Sequence, residues 1–387
     1  MAKYDFTTFP NRLKQHTAKW KDNDKEPDLL QMWIADMDFL PCPEIREAVI
    51  DYATNHIYGY PEASNELYQS IIDWEFNEHD YLIAKDSIVL IEAVVPAIST
   101  CIQALTAKND AVLINTPVYP PFARSIRLNK RKLITNSLVN IDGLFEIDFE
   151  QLEKDIVQYQ VKMYILCNPH NPGGRVWSKE ELIRIGKLCQ KYGVILVSDE
   201  IHQDLVLFGH HHYSFNTVNE SFKEFSIILS SATKTFNIAG TKNSFAIIEN
   251  EYYKKLFKNR QLMNNQHEVP AIGLLTTMAA FTKGKNWLEE LKGVLEENII
   301  FAVDYLEKNT KIKVMKPQGT YLIWLDFSDY NLLQPEISEK LKNEGKVVLN
   351  DGATFGKEGK SFARLNIAAP LSIVQEACYR ISSVFGK

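Results

Sequence analysis

The chain has 387 residues, of which 45% are hydrophobic and 24% charged, a balance typical of globular proteins that bury a sizeable core. This length predicts two domains, or three. Its 43 basic and 49 acidic side chains leave a net charge of −6 without a basic domain, which argues against nucleic acid as a partner. No apolar run approaches the roughly 18–20 residues of a membrane-spanning helix, and the first ten residues lack a signal-peptide core. We therefore expect a cytoplasmic protein with no membrane partner.

The cysteines are scattered and form no C-x-x-C pair: Cys42, Cys101, Cys167, Cys189 and Cys378. We interpret all five as reduced thiols in the core, because most lie in helical patterns and Cys167 ends an apolar run. Three consecutive histidines at 210–212 suggest a metal site, but no carboxylate or cysteine spacing accompanies them. We therefore predict a solvated loop there and no metal.

Short apolar runs alternate with longer helical patterns from about residue 45 to residue 285. The runs are rich in Val and Ile, as in strands covered on both faces, and lie at 87–91, 111–115, 163–167, 194–198, 226–230 and 244–248. One helix between them is predicted from Lys179 to Tyr192, ending at Gly193. This alternation predicts an α/β fold with a mostly parallel sheet, in which ligands bind beyond the carboxyl ends of the strands.

After residue 285 the pattern becomes that of a smaller α+β unit. Helices are predicted over 287–308, 336–345 and 371–385, and strands over 319–326 and 361–367. We therefore divide the chain into an N-terminal segment, 1–45, that packs with the small domain, a large domain, 46–285, and a small C-terminal domain, 286–387.

Two polar clusters beyond predicted strand ends carry the strongest chemical signal. In Ser230-Ser-Ala-Thr-Lys-Thr235, Lys234 can form a Schiff base, with hydroxyl groups nearby for a phosphate. The alternative is a surface lysine in a turn. In Ser198-Asp-Glu-Ile-His-Gln-Asp204, Asp199 ends a buried strand, and a carboxylate there can keep a pyridinium nitrogen protonated. A helix N-cap explains Asp199 equally well.

Two further clusters are less specific. Residues 167–177 contain two prolines and two glycines in a rigid turn that presents Asn168 and Asn171. An amide there can donate to a phenolate oxygen, although the segment alone also fits an ordinary loop. Residues 92–97 pass from a strand into a helix, whose free N–H groups and dipole suit a phosphate. Every strand-to-helix junction offers such donors.

In their order along the chain, the four clusters resemble the fold-type I pyridoxal-phosphate (PLP) enzymes of the class I/II aminotransferase family. Within it, four segments are similar to the cystathionine β-lyase branch of PatB/MalY-type C–S lyases, and among these to streptococcal-type cysteine-sulfur lyases: 32–39, 58–61, 168–177 and 198–202. The resemblance covers nearly the whole chain. It implies a large PLP-binding domain, with a mostly parallel seven-stranded sheet between helices, and a smaller α+β domain.

The resemblance also implies roles for individual residues. Lys234 would bind the cofactor and act as base and acid at Cα, while Asp199 pairs with the pyridinium nitrogen and Tyr119 stacks on the ring. Further cofactor contacts are implied for the amides of Ala93 and Val94, for Asn168, Asn171, His202, Ser231 and Lys242, and for Tyr60 of the partner subunit in a homodimer with shared sites. The substrate carboxylate would be held by Arg364 in a bidentate pair, with Asn171 and the backbone near Ala35.

Three positions depart from the family pattern. His202 stands where many aminotransferases carry Tyr, which changes the hydrogen bonds expected at the ring oxygen. Ala93 replaces a common glycine, although its backbone donor survives. Lys242 stands where many relatives carry an arginine, so it offers the compact charge of an ammonium group in place of a planar guanidinium.

The electron sink of such a site permits two outcomes once the Cα proton is removed. Loss of a thiolate from Cβ leads to pyruvate and ammonia, whereas reprotonation at the cofactor leads to transamination. The resemblance alone favours elimination, so we predict a C–S β-lyase acting on L-cystathionine and L-cysteine, with homocysteine or hydrogen sulfide as the thiol product. The alternatives are an aminotransferase with a 2-oxo acid acceptor and a PLP-containing regulatory binding protein.

Overall fold

The computed structural model describes residues 3–13 and 15–387. In this part of the chain the strands are β1 (Leu30–Gln31), β2 (Ile88–Ile91), β3 (Ala111–Thr116), β4 (Lys132–Ser137), β5 (Val139–Ile141), β6 (Leu144–Glu146), β7 (Met163–Cys167), β8 (Ile195–Asp199), β9 (Ser226–Ser230), β10 (Ser244–Ile247), β11 (Lys313–Met315), β12 (Leu322–Asp326), β13 (Val347–Val348), β14 (Asn350–Asp351) and β15 (Phe362–Asn366). The helices are α1 (Pro43–Asn55), α2 (Asn65–His79), α3 (Val94–Leu105), α4 (Pro121–Leu128), α5 (Phe149–Tyr159), α6 (Lys179–Tyr192), α7 (Ala232–Thr235), α8 (Glu251–Met263), α9 (Ala271–Lys283), α10 (Lys285–Asn309), α11 (Gln334–Glu339) and α12 (Leu371–Phe385).

The central sheet has seven strands in the order β2-β10-β9-β8-β7-β3-β4. Neighbours are parallel except for β10, which runs antiparallel to both β2 and β9. All residues of β3, β7, β9 and β10 are buried, because their apolar side chains are covered on both faces of the sheet. The predicted α/β class and its mostly parallel seven-stranded sheet are confirmed.

Local signals set the helix ends next to these strands. Helix α6 begins after Ser178, whose Oγ accepts a hydrogen bond from the Glu181 amide, while the Glu181 carboxylate accepts one from the Ser178 amide. It ends at Gly193, which takes a left-handed conformation with φ of 64°. The bounds of α6 therefore coincide with the predicted helix.

The C-terminal part contains a four-stranded antiparallel sheet in the order β11-β12-β15-β14, in which β11 packs against α10, and α10 packs in turn against α12. Helix α11 is shorter than predicted, because residues 340–344 continue it as a π-helical turn. Strand β1 pairs in parallel with β13 and so joins the N-terminal segment to the C-terminal part, while ion pairs from Arg12 and Lys19 to Asp38 lie within the N-terminal segment.

The prediction of a solvated histidine loop is wrong for His212. Its side chain is buried, and its Nε2 lies 3.2 Å from Oε2 of the buried Glu200, which requires a polar partner. The five cysteines are buried and unbridged. Over residues 3–13 and 15–387, no cluster of three or more His, Cys, Asp or Glu side chains suits a metal ion. None of the helices described there is both long enough and apolar enough to cross a membrane.

Candidate active site

One cavity of about 540 Å³ receives side chains from all four polar clusters. It lies beyond the carboxyl ends of β3, β7, β8 and β9, where a parallel sheet positions its ligands. Residues Trp33 to Ala35 of the N-terminal segment and Asn350 and Arg364 of the C-terminal sheet complete the wall. The volume is typical of a site for a cofactor and a small substrate.

Ten of the predicted site residues line this cavity: Ala35, Ala93, Val94, Tyr119, Asn171, Asp199, His202, Lys234, Lys242 and Arg364. Three do not. Asn168 is buried beneath the wall, where its Nδ2 donates to the Tyr213 carbonyl. Ser231 donates to the Asn243 carbonyl and caps α7, so its hydroxyl is engaged within the protein. Tyr60 is 96% exposed in the loop between α1 and α2.

Lys234 is enclosed by the cavity, which removes the interpretation as a lysine in a surface turn. Helix α7 carries it directly after β9, and its Nζ donates to the Ala35 carbonyl oxygen at 2.5 Å. Burial, followed by the nearby positive charge of Arg364, lowers the pKa of Lys234 to about 8. A lysine with such a pKa is neutral, and hence nucleophilic, in a substantial fraction of molecules near neutral pH.

Asp199 presents a buried carboxylate at the end of β8. Its Oδ1 accepts one hydrogen bond, from the Ile201 amide at 3.2 Å, as a capping residue would. Burial raises the pKa of Asp199 to about 7, because this single bond does not replace the lost hydration. A cationic ring N–H from a ligand would stabilise the ionised form. The capping and cofactor-binding interpretations are therefore compatible.

Arg364 and Asn171 orient each other. The Nη1 of Arg364 donates to Asn171 Oδ1 at 2.8 Å, and its Nη2 donates to the Trp33 carbonyl at 2.9 Å. Since a guanidinium offers only donors, the Asn171 oxygen must face it, which leaves the Asn171 Nδ2 group to donate elsewhere. Burial lowers the pKa of Arg364 to about 10, so the side chain remains charged at neutral pH. Its buried Nε has no partner among the described residues.

Two ring side chains complete this region. Burial, and then the charge of Lys234, lowers the pKa of His202 to about 3, so His202 is neutral at physiological pH. Its ring lies edge-on to Tyr321, with centroids 6.0 Å apart. Burial raises the pKa of Tyr119, so its phenol stays protonated. The Tyr119 backbone is fixed by a hydrogen bond from its amide to the Asn171 carbonyl.

The opposite end of the cavity suits an anion. Ala93 is the N-cap of α3, and no side chain caps this helix, so the amides of its first turn face the cavity region without a side-chain partner. The helix dipole favours a negative charge at this position. Lys242, which adopts a left-handed conformation with φ of 64°, and Thr233 line the same cavity.

Sequence reasoning missed Arg124, Asn350 and Thr233, all of which line the cavity. Thr233 stands beside Lys234 in the cluster already singled out, and that proximity was an available signal. Asn350 reaches the site because β14 pairs with β15 so that Asn350 lies opposite Arg364. No local sequence pattern predicts the pairing of β14 with β15. Arg124 lies on α4, only five residues after Tyr119.

These residues together fit a pyridine cofactor that carries an aldehyde and a phosphate. Lys234 suits the aldehyde, Asp199 lacks the cation that a ring nitrogen would supply, and the uncapped start of α3 offers donors for the phosphate. Arg364 keeps an unpartnered Nε beside Asn171. The fold and site therefore define a class of enzymes that use such a cofactor.

The chain belongs to the aminotransferase class I and II family, whose model matches residues 27–381. It is 37% identical to cystathionine β-lyase PatB of Bacillus subtilis (strain 168), over 98% of this chain and 99% of that protein. The structure of cystalysin from Treponema denticola, which contains pyridoxal 5′-phosphate, matches with a TM-score of 0.96 and 32% identity over 98% of each chain. The PLP-bound C–S lyase from Staphylococcus hominis matches with a TM-score of 0.93 and 28% identity, over 100% of this chain and 99% of that one.

Proposed function

We propose that this chain, a PLP-dependent carbon–sulfur lyase, cleaves L-cystathionine and also L-cysteine by α,β-elimination. With the uptake of one water, the products are pyruvate, ammonia and a thiol, which is homocysteine or hydrogen sulfide. One observation carries the proposal: Lys234, Asp199 and Arg364 all line the same cavity. The relatives support the direction of the reaction, since they are named as cystathionine β-lyase and C–S lyase.

PLP, when bound, supplies an electron sink that makes the Cα proton of an amino acid acidic. Lys234 would hold the cofactor, and its amine would take the Cα proton of the substrate. The lowered pKa of Lys234 suits this proton transfer, because the neutral and protonated amines lie close in free energy near neutral pH. Asp199 provides the negative charge that keeps the ring nitrogen protonated, and its burial strengthens that interaction.

Arg364 fixes the substrate carboxylate and thereby aims the Cα–H bond at Lys234. The hydrogen bonds of Arg364 to Asn171 and to the Trp33 carbonyl hold the guanidinium plane before substrate arrives. The Ala35 carbonyl accepts hydrogen bonds from both Lys234 and Tyr321, which fix residues 33–35 in the cavity wall beside Lys234.

A pyruvate assay on the purified, PLP-loaded protein tests the proposal. Pyruvate released from L-cystathionine without any 2-oxo acid is the expected result, and Lys234→Ala serves as the matched inactive control. Product formation that depends on an added 2-oxo acid would identify an aminotransferase instead. Inactivity of protein that retains its cofactor would favour a regulatory binding role.

We further propose that the protein is a homodimer in which Tyr60 of the partner subunit completes the phosphate site. The loop between α1 and α2 exposes Ile57 at 90%, Tyr58 at 68% and Tyr60 at 96%. Such a contiguous apolar patch on a monomer is typical of an interaction surface. A two-fold axis would then give each dimer two sites, each with Lys234 from one chain and Tyr60 from the other.

Mixed dimers test this arrangement. Tyr60→Ala and Lys234→Ala chains, each inactive alone, should regain activity when their subunits are exchanged, because one site of a hybrid dimer carries neither change. About half of the dimers are hybrid after random exchange, so roughly a quarter of all sites should be intact under this symmetry. No recovery after verified exchange would place both residues in the same chain's site, or Tyr60 outside the site.

A further inference from the structure

Asn350 is a polar residue of the cavity wall to which neither the sequence nor the resemblance assigns a role. It lies half-buried on β14 and lines the cavity. Within residues 3–13 and 15–387 its side chain forms no hydrogen bond. A side-chain amide offers donors on its nitrogen and an acceptor on its oxygen, so both groups are available to a ligand in the cavity.

Strand pairing sets Asn350 directly beside Arg364. Strands β14 and β15 are antiparallel, and Asn350 lies opposite Arg364. Opposite residues of such a pair project from the same face of the sheet, with their Cβ atoms roughly 5 Å apart. Both side chains accordingly line the same cavity. The register of two strands, and not the course of a loop, therefore holds the amide next to the arginine.

Arg364 by itself leaves part of a bound carboxylate unpaired. Two of its four Nη hydrogens are engaged, in the bonds to Asn171 Oδ1 and to the Trp33 carbonyl, and its Nε is buried away from the cavity surface. At most two donors of Arg364 therefore remain for a ligand, whereas a carboxylate accepts about four hydrogen bonds. Even if the Asn171 Nδ2 group supplies one more, an acceptor position stays open.

We propose that the Asn350 side-chain amide donates a hydrogen bond to the α-carboxylate of the substrate, beside Arg364. This inference rests on the proposed role of Arg364 in the lyase and adds a residue to the same subsite. The α-carboxylate is common to all amino acids. The contribution of Asn350 is therefore the same whichever thiol leaves the substrate.

Binding of L-alanine to the PLP-loaded protein tests the contact without turnover. L-Alanine carries the α-carboxylate but no thiol on Cβ, and the change in cofactor absorbance immediately after mixing gives its Kd. Asn350→Leu keeps a side chain of similar size without the donor. It should raise this Kd about tenfold, the loss expected of one hydrogen bond to a charged acceptor. Its affinity for PLP should stay within about twofold of the wild type, because the contact is to the substrate.

Asn343→Leu is the matched control. Asn343 lies in the same C-terminal part, but it is exposed and does not line the cavity, so this variant should bind L-alanine as the wild type does. Two substrates then check which end of the ligand is involved. Asn350→Leu should lower kcat/KM for L-cystathionine and for S-methyl-L-cysteine by the same factor, because both carry the α-carboxylate.

An unchanged Kd for L-alanine in Asn350→Leu would overturn this contact. An equal loss of PLP affinity would also overturn it, because it would indicate a structural role. A loss confined to L-cystathionine would place Asn350 at the leaving group instead. L-Alanine has no group to eliminate, so its binding does not depend on the lyase function, which the pyruvate assay tests separately. Asn350→Ala should repeat the loss and decides the matter if the leucine variant does not fold.

Discussion

Capture of the cofactor by Lys234 should follow the titration of an amine with a pKa of about 8. Only the neutral Nζ attacks an aldehyde, and burial together with Arg364 favours that form. At pH 7 about one molecule in ten would be neutral, against about one in 3,000 for a lysine with an ordinary pKa of about 10.5. The structure therefore predicts roughly a 300-fold advantage in reactive amine.

Stopped-flow mixing of cofactor-free protein with PLP measures this advantage. The observed rate at each pH should be divided by that of Nα-acetyl-lysine, because the ratio removes the titration of PLP itself. This ratio should be constant below about pH 8 and should fall about tenfold per pH unit above it, because Lys234 is then already neutral while Nα-acetyl-lysine still loses protons. Arg364→Gln should shift the profile toward higher pH, since it removes a positive charge that disfavours protonated Lys234.

A rate that keeps rising in parallel with Nα-acetyl-lysine beyond about pH 9 would refute the reasoning, because it would give Lys234 an ordinary lysine pKa. An unshifted profile in Arg364→Gln would assign the lowered pKa to burial alone. Lys234→Ala controls for non-covalent binding, which contributes to the optical signal without forming the bond.

Three further predictions concern charged groups at and behind the cavity. Asp199→Asn should reduce kcat by about 100-fold or more without loss of the fold, because an amide does not stabilise a ring cation, and a cost of a few kcal/mol at the transition state has this effect; unchanged kcat would reduce Asp199 to a capping residue. Arg364→Lys should raise KM for cystathionine and lower kcat/KM by about 10–100-fold, as one charge-assisted hydrogen bond is lost; an unaltered KM would place the carboxylate clamp elsewhere. Burial raises the pKa of Glu75 to about 7, so its neutral form stabilises the fold at low pH and that stabilisation is lost as the pH rises through about 7. Glu75→Gln, which can still accept from Gln203, should therefore gain a few degrees of Tm over the wild type between about pH 5 and pH 8, whereas a constant difference would show that Glu75 does not titrate there.

Strands covered on both faces could be predicted, because all of their residues are buried and their sequence is an unbroken apolar run. The runs that became β7 and β9 are unbroken apolar stretches, and no exposed face interrupts the pattern. Strand β4 was not predicted. It lies at the edge of the sheet, and its residues Lys132, Thr135 and Asn136 give it a polar, mixed pattern that resembles a loop.

The residues of the candidate site also divide into those that the local sequence predicts and those that it does not. Lys234, Asp199 and Asn171 follow directly from strands, so the rule that ligands gather at the carboxyl ends of parallel strands brings them together. Arg364 lies 193 residues from Asn171, and the residues themselves offered no local reason to join them; only the resemblance assigned Arg364 to the substrate. His212 was misplaced for a related reason, since its buried partner Glu200 becomes visible only in three dimensions.

The turn after β8 links the cavity to a buried polar network, and this link explains how Asp199 and Lys234 keep their relative positions. Asp199 and His202 face the cavity, whereas Asp204 at the end of the same turn faces the interior. Asp204 accepts hydrogen bonds from Trp74 Nε1 at 3.0 Å and from Thr235 Oγ1 at 2.6 Å, and its Oδ1 lies 2.7 Å from His79 Nε2. Thr235 adjoins Lys234, and the other two partners lie on α2, which follows the exposed loop that contains Tyr60. The buried Asp204 carboxylate thus joins the segment that carries Lys234, the turn that carries Asp199, and α2. Such a fully buried network is suited to holding the side chains of a site in a fixed geometry.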